Sequence, residues 1–135
     1  MLAVALAAAI AACTSSDSSS SNSTSPTATV TTENFSGTVD VGGSAVHPFT
    51  VALSNGQLNV ILTSAGPPST IYEGLGIGTY ASSTCTLLTN GSVITQAGAT
   101  AQLSGTVNAG SYCVKVYDAG NQTAAISYTV TVNHY

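Results

Sequence analysis

The feature that most constrains the fold is a recurring alternation of apolar and polar residues, which begins at Phe35 and continues to the C-terminal end. In the segment Ile126–Val132, every even-numbered residue is apolar and every odd-numbered residue is polar. A period of two is typical of antiparallel strands that have one face in the core and the other in water. From Phe35 onward no segment shows a helical period. We therefore expect residues 33–135 to form one all-β domain.

Short clusters of turn-forming residues interrupt the alternation, as turns between strands do. These clusters are Gly42-Gly43, Asn55-Gly56, Gly66-Pro67-Pro68, Asn90-Gly91, Asn108-Ala109-Gly110 and Ala119-Gly120-Asn121. The core-facing positions that the alternation predicts include Phe35, Gly37, Val39 and Val41, then Phe49, Val51 and Leu53, then Leu58, Val60 and Leu62, and later Tyr112, Val114, Val116 and Tyr128. The spacing predicts about seven to nine short strands in an antiparallel β-sandwich or barrel.

The charge composition excludes one large class of partners. Charged residues are 4% of the chain, against about 25% in ordinary soluble proteins. Lys115 is the only Lys or Arg. Since a single cation provides no basic surface for phosphates, the composition argues against nucleic-acid binding. Ser, Thr, Asn and Gln supply the polar faces instead, which suits an exported β-protein.

The three cysteines divide into one near the N-terminus, Cys13, and two within the domain, Cys85 and Cys113. In an exported protein, two cysteines in one small domain predict a disulfide. Closing that loop would contribute about 3.5 kcal/mol by restricting the unfolded chain. The alternative is a pair of buried free thiols.

The N-terminal segment, residues 1–12, is apolar from Leu2 to Ala12. It is too short for a membrane-spanning helix, which needs about 20 residues, but it matches the apolar part of a signal peptide. It ends in Ile10-Ala11-Ala12-Cys13, which resembles the lipobox of bacterial lipoproteins. The resemblance implies cleavage before Cys13 and a lipid on that residue, which anchors the protein to the cell envelope. Because no Lys or Arg precedes Cys13, we expect the natural start to lie upstream.

Residues 13–32 are predicted to be a linker, because Ser and Thr dominate between Cys13 and the first alternating segment. A flexible coil of this length has a root-mean-square reach of about 25 Å. The domain is therefore expected to stand just off the membrane.

A series of short segments in the domain resembles the bacterial pre-peptidase C-terminal domain over about residues 34–133. The segments are Phe35-Ser36-Gly37-Thr38-Val39, His47-Pro48-Phe49-Thr50-Val51, Gly56-Gln57-Leu58-Asn59-Val60-Ile61-Leu62-Thr63, Ala109-Gly110-Ser111-Tyr112-Cys113-Val114 and Tyr128-Thr129-Val130-Thr131-Val132. The resemblance implies a jelly-roll-like β-sandwich with a role in secretion or substrate binding, and calcium in some members. Members often carry acidic residues before the Phe-containing strand, where this chain has Ser44-Ala45-Val46-His47.

Asp40 and Asp118 are the candidate ligands for a calcium ion, since each ends a predicted strand beside a turn. Calcium takes six to eight oxygen ligands, which usually include several carboxylates. Glu33 and Glu73 are the other acidic residues of the domain. The alternative interpretation is that each aspartate caps its own turn with its side chain.

Tyr117 is the candidate ligand-binding residue, because it lies on the opposite face from the core positions and beside Asp118. An exposed tyrosine can stack on a sugar or dock a protein. The glycines of Gly74–Gly78 alternate with apolar residues and leave one strand face bare. We expect this face to pack closely under Tyr72 or Tyr80, or against the other sheet.

No residue pattern in the chain predicts catalysis. The sequence has no G-x-S-x-G motif, and its two histidines are His47, expected at the start of a strand, and His134, expected to be mobile near the end. Two histidines and a pair of disulfide-bonded cysteines do not supply the four ligands of a zinc site. We therefore expect no catalytic residues and no cofactor other than the candidate calcium.

Taken together, these features predict a lipid-anchored, non-catalytic protein of the bacterial cell envelope. Its β-sandwich is expected to act as a binding or accessory module for an extracytoplasmic protein or glycan, through loops at one end. The alternative is a structural or adhesive subunit of a surface assembly that acts through an edge strand. A hydrolase is a remote alternative, and it would require His47 or His134 in a pocket with a carboxylate.

Overall fold

The computed structural model describes residues 27–135. The predicted signal peptide (residues 1–12), the lipidation of Cys13 and the linker up to residue 26 lie outside this range. Across residues 27–135 we find no helix with the length and apolar character that crossing a membrane requires.

Eight strands make up the described part of the chain, and the prediction of an all-β sandwich is confirmed. The strands are β1 (Thr31–Val39), β2 (Ser44–Val51), β3 (Gly56–Gly66), β4 (Glu73–Ala81), β5 (Thr84–Thr95), β6 (Leu103–Val107), β7 (Gly110–Asp118) and β8 (Ile126–His134). The first strand begins within the stretch expected to be linker.

The strands form two four-stranded sheets, ordered β1-β8-β3-β6 and β2-β7-β4-β5. Every neighbouring pair is antiparallel. The pairs β1-β8, β2-β7, β3-β6 and β4-β5 follow from one long hairpin wound across both sheets, which is the jelly-roll arrangement. As a result, β6 and β5 are edge strands on one side of the sandwich, and β1 and β2 are edge strands on the other.

The core lies between the two sheets and contains most of the positions that alternation predicts. Tyr128 is 2% exposed in β8, and Tyr112 packs against the same core from β7. Two predicted core residues are wrong: Val41 is 56% exposed and Leu53 is 44% exposed. Both lie beyond the end of a strand, in the turns that follow β1 and β2, where the pleat no longer sets the direction of the side chain.

One predicted turn is also wrong. Asn90-Gly91 lies inside β5, where Asn90 has a φ of 59°, in the left-handed region. Pairing between β4 and β5 shifts register near this point, so the residues form an irregularity in the strand rather than a hairpin. The β4–β5 hairpin turns at Ser82-Ser83 instead, with φ values of 49° and 60°. Two consecutive positive φ values suit a type I′ turn. Such turns usually contain Asn and Gly, so the two serines did not indicate a turn in the sequence.

Candidate functional site

The best candidate for a binding site is a cleft where the sandwich is open, between the edge strands β5 and β6. Its volume is about 180 Å³. The side chains of Leu58, Val60 and Ile77, which belong to the core, line it together with Leu88. The polar residues that line it are Thr89, Asn90, Ser104 and Thr106. Among residues 27–135, no charged residue contributes to the lining, so the cleft is suited to an uncharged, largely apolar group.

Small residues explain why the cleft is open. β6 is five residues long, Leu-Ser-Gly-Thr-Val, and its three central residues are exposed. A Cβ atom added at Gly105 would meet no other atom within 4 Å. The short side chains of this strand therefore leave part of the core uncovered. Sequence reasoning missed the cleft, and the only signal was the run of small residues in the shortest strand.

Aromatic rings close the opposite side of the sandwich, between β1 and β2. The rings of Phe35 and His47 stack with centroids 4.9 Å apart. His47 Nε2 lies 2.5 Å from the hydroxyl oxygen of Tyr128. Burial lowers the pKa of His47. This histidine therefore occupies a packed position and does not line the cleft.

His134 is not mobile, contrary to expectation. It belongs to β8, is 3% exposed, and its Nε2 lies 2.8 Å from Glu33 Oε1. Its ring also lies 5.4 Å from that of Phe49, measured between centroids. The structure thus pairs His134 with a carboxylate that the sequence did not assign to it. Like His47, His134 is absent from the cleft lining.

Asp118 caps the loop that follows β7. Its Oδ2 accepts a hydrogen bond from the backbone N–H of Gly42 at 2.7 Å. Its Oδ1 accepts from the N–H groups of Gly120, Asn121 and Gln122 at 2.7, 3.2 and 3.3 Å. These donors, with Gly42 foremost, hold the pKa of Asp118 below its ordinary value. Asp118 therefore caps its own turn with its side chain, which is the alternative interpretation given for this residue above.

Asp40 lies in the turn that Asp118 holds. The backbone oxygen of Asp40 accepts a hydrogen bond from the N–H of Gly43 at 2.7 Å, and the N–H of Asp118 donates to the oxygen of Gly43 at 3.1 Å. The structure thus brings the Asp40 turn and Asp118 to the same end of the sandwich. Within residues 27–135, no three side chains of His, Cys, Asp or Glu are grouped closely enough to hold a metal ion by themselves.

Glu73 is a buried carboxyl group at this same end. It is 0% exposed, and it lies directly opposite Asp118 in the pairing of β4 with β7. Gln122 Nε2 lies 2.9 Å from each of its carboxyl oxygens. Burial raises the pKa of Glu73, and the charge of Asp118 raises it further, although the hydrogen bond from Gln122 opposes the change.

Tyr117 lies over Gly74, where a Cβ atom would overlap its ring. The Lys115 ammonium nitrogen is 5.8 Å from the centroid of the same ring. The glycine face of β4 is therefore closely packed at Gly74, but the ring that covers this glycine is Tyr117 and not Tyr72 or Tyr80. The register explains the difference, because β7 places Tyr117 directly opposite Gly74. Tyr117 is half-buried rather than freely exposed.

The predicted disulfide between Cys85 and Cys113 is confirmed, with a Cα–Cα distance of 5.8 Å. It joins the edge strand β5 to β7, which is two strands away in the same sheet. Cys113 is 0% exposed. The bond therefore ties one wall of the cleft to the interior of the sheet.

Comparisons with known proteins do not place the chain in a family. No protein-family model matches it. No curated protein sequence matches it either. The resemblance to the bacterial pre-peptidase C-terminal domain stays a prediction from sequence.

Proposed function

We propose that this protein is a lipid-anchored, non-catalytic component of the bacterial cell envelope whose β-sandwich binds an extracytoplasmic partner. The observation that carries the binding role is the cleft between β5 and β6, where core side chains line an opening of about 180 Å³. A soluble domain ordinarily covers its core, so an uncovered region of this kind is a candidate interaction site. The proposal moves the binding surface from the loops at one end to this side of the sandwich.

The envelope location is supported by two independent features. The disulfide between Cys85 and Cys113 belongs to an oxidising compartment, since cytosolic thiols are kept reduced. The sequence Ile10-Ala11-Ala12-Cys13 supplies a lipidation site at the end of an apolar segment. Together they favour export followed by anchoring over release into the medium.

The cleft favours a protein partner over a glycan. An apolar cavity of roughly 150 Å³ accommodates a benzene molecule, and the cleft here is about 180 Å³. One aliphatic or aromatic side chain of a partner therefore fits the opening. The polar part of the cleft lining consists of Thr89, Asn90, Ser104 and Thr106. A glycan would instead require a stacking surface such as Tyr117, and that ring is half-buried over Gly74.

Site-specific photo-crosslinking in the native host tests the proposal. A photoreactive residue is introduced at Ser104 or Thr89, which line the cleft, and as a control at Thr38, which is exposed on β1. We expect the same protein adduct from both cleft positions and none from Thr38. Adducts that are equally strong at all three positions, or none at the cleft, would contradict a binding role for this site.

A second candidate function, a subunit of a surface assembly, is favoured by one observation. β5 is a twelve-residue strand at the edge of its sheet, and it carries Leu88 (37% exposed) and Ile94 (59% exposed). Long edge strands with exposed apolar side chains pair readily with other strands. Sedimentation of the delipidated protein separates the two functions, because an assembly subunit would self-associate and Ile94→Lys would prevent it. A monomer at all concentrations supports the binding module.

A further inference from the structure

The outer face of the sheet β1-β8-β3-β6 consists almost entirely of hydroxyl and amide side chains. Along each strand, the residues that point away from the core alternate with those that point toward it. Ile61 is the only apolar residue among the outward ones. The outward residues are Thr32, Asn34, Ser36 and Thr38 on β1, Ser127, Thr129, Thr131 and Asn133 on β8, Gln57, Asn59, Ile61 and Thr63 on β3, and Ser104 and Thr106 on β6.

Within residues 27–135, no charged side chain lies on this face. Glu33 belongs to β1, but its carboxyl group turns inward to His134. The other charged residues of the described part lie in the turn after β1 or in the other sheet, and they are Asp40, Glu73, Lys115 and Asp118. A face that offers hydrogen-bond donors and acceptors without charge is complementary to a partner that is itself uncharged.

The polar face is not a general consequence of the composition, because the outer face of the other sheet differs from it. There the outward positions include Val46 (38% exposed), Ile94 (59% exposed), Lys115 and Tyr117. If Ser and Thr served only to keep the sheets in water, both outer faces would carry them equally. The difference between the two faces therefore points to a specific role for the polar one.

The strand register aligns the polar side chains in rows across the sheet. One row crosses all four strands through direct partners, which are Thr32, Asn133, Asn59 and Ser104. The following rows contain Asn34, Thr131 and Ile61, then Ser36 and Thr129, then Thr38 and Ser127. Neighbours within a row are about 4.8 Å apart, and successive rows are about 6.7 Å apart, because side chains on one face of a strand repeat every second residue.

Hydrogen bonds between strands hold part of this array in place. Thr32 Oγ1 donates to Asn133 Oδ1 at 2.7 Å, and Thr131 Oγ1 donates to Asn34 Oδ1 at 2.6 Å. These bonds use only the oxygen of each amide, so the two Nδ2 groups remain donors. Because the side chains are already ordered, contact with a partner would cost little conformational entropy.

We propose that the outer face of the β1-β8-β3-β6 sheet binds ice, whose surface is an uncharged and periodic array of water molecules. The oxygen atoms on the prism face of ice repeat at distances close to those within and between the rows. A neutral glycan fits this face less well, since none of its outward residues has an aromatic ring on which a sugar could stack.

The twist of the sheet sets the form of the activity. Neighbouring strands rotate by about 20–25°, so the match to a flat lattice extends over few strands at a time. We therefore expect the protein to inhibit recrystallisation of ice rather than to depress the freezing point strongly. This activity uses a different surface from the cleft and does not depend on the proposed envelope function.

The test follows the growth of ice grains in a frozen sucrose solution that contains the full chain with Cys13→Ala, which cannot carry the predicted lipid. We expect this parent chain to slow grain growth and to enter slowly growing ice rather than be excluded from it. Thr129→Lys places a charge within the array, and it should raise the concentration needed for the same inhibition by about tenfold or more. Thr50→Lys is the matched control, since Thr50 is exposed on the outer face of the other sheet, and it should act as the parent does.

Three results would overturn the proposal. The first is a parent chain that neither slows grain growth nor enters the ice. The second is an equal loss of inhibition in Thr129→Lys and Thr50→Lys. The third is binding of the parent chain to insoluble cellulose, lost in Thr129→Lys, without any effect on ice, which would assign the face to a neutral glycan. Circular dichroism and the thermal midpoint of each variant distinguish loss of binding from loss of structure.

Discussion

The side-chain amide of Gln102 pairs with the backbone of Leu62 as a neighbouring strand would. Its Oε1 accepts a hydrogen bond from the Leu62 N–H at 2.8 Å, and its Nε2 donates to the Leu62 oxygen at 3.3 Å. β6 pairs with β3 only from Gly56 to Val60, so Leu62 lies beyond the end of that pairing. The amide thus provides hydrogen bonds to the backbone N–H and oxygen of the buried Leu62, at the point where pairing with the edge strand β6 ends.

Replacing Gln102 with Leu should lower the free energy of unfolding by about 1–3 kcal/mol, because it leaves the Leu62 N–H without its partner, whereas the Leu62 oxygen keeps the hydrogen bond from the Gly98 N–H at 2.9 Å. Urea unfolding followed by circular dichroism measures the change. Gln57→Leu is the matched control, since Gln57 is exposed on β3, the strand that contains Leu62, and its side chain makes no hydrogen bond in the described residues. Equal effects of the two substitutions would contradict the role assigned to Gln102.

Gly74→Ala should destabilise the domain, because the new Cβ atom would occupy the position of the Tyr117 ring. Overpacking of this kind typically costs about 1–3 kcal/mol. Gly105→Ala is the control, since a Cβ atom there meets nothing within 4 Å. Combining Gly74→Ala with Tyr117→Ala should recover part of the loss, and thermal unfolding of the four proteins gives the comparison.

The contribution of His47 to the stability of the domain should fall as the pH decreases below about 6.5, the ordinary pKa of histidine. Burial lowers the pKa of His47 in the folded state, so the unfolded chain takes up the proton more readily. The stabilisation from neutral His47 is therefore complete above the unfolded pKa and is lost as the pH falls toward the folded one. His47→Phe should reduce this dependence when urea midpoints at pH 5 and pH 7.5 are compared. An unchanged difference between the two midpoints would assign the effect to another group.

Loss of the Cys85–Cys113 bond should lower the free energy of unfolding by about 3.5 kcal/mol, through greater freedom of the unfolded chain. The double substitution Cys85→Ser and Cys113→Ser provides the measurement in chemical denaturant. As a check on pairing, the oxidised domain carrying Cys13→Ala should not react with a thiol reagent after unfolding. One or two reactive thiols would show that the bond does not form in the cell.

Cys13→Ala should release the protein from the membrane fraction of the native host, since the predicted lipid is its only proposed anchor. Fractionation followed by immunoblotting measures the distribution. Mass spectrometry of the parent chain should show a diacylglycerol-modified N-terminal peptide that begins at Cys13. An unmodified Cys13 in a membrane-bound protein would contradict the proposed anchoring.

Much of the fold follows from local properties of the sequence. The alternation in Ile126–Val132 requires only that each strand has one buried face, and two cysteines in one domain have a single way to pair. The alternation depends only on neighbours in the chain, and the pairing depends only on the number of cysteines. The exceptions, Val41, Leu53 and Asn90-Gly91, lie where a strand ends or becomes irregular, and a period of two gives no signal for either.

The tertiary structure alone decided which strands became neighbours, and therefore which side chains meet. Glu73 and Asp118 are far apart in sequence, and their opposition depends on β4 lying beside β7 in one specific register. The cleft likewise exists because the winding of the hairpin left a five-residue strand beside β5 at the open side. A sequence pattern determines which face of a strand is buried, whereas the packing of the whole core selects the strand order and register that create a site.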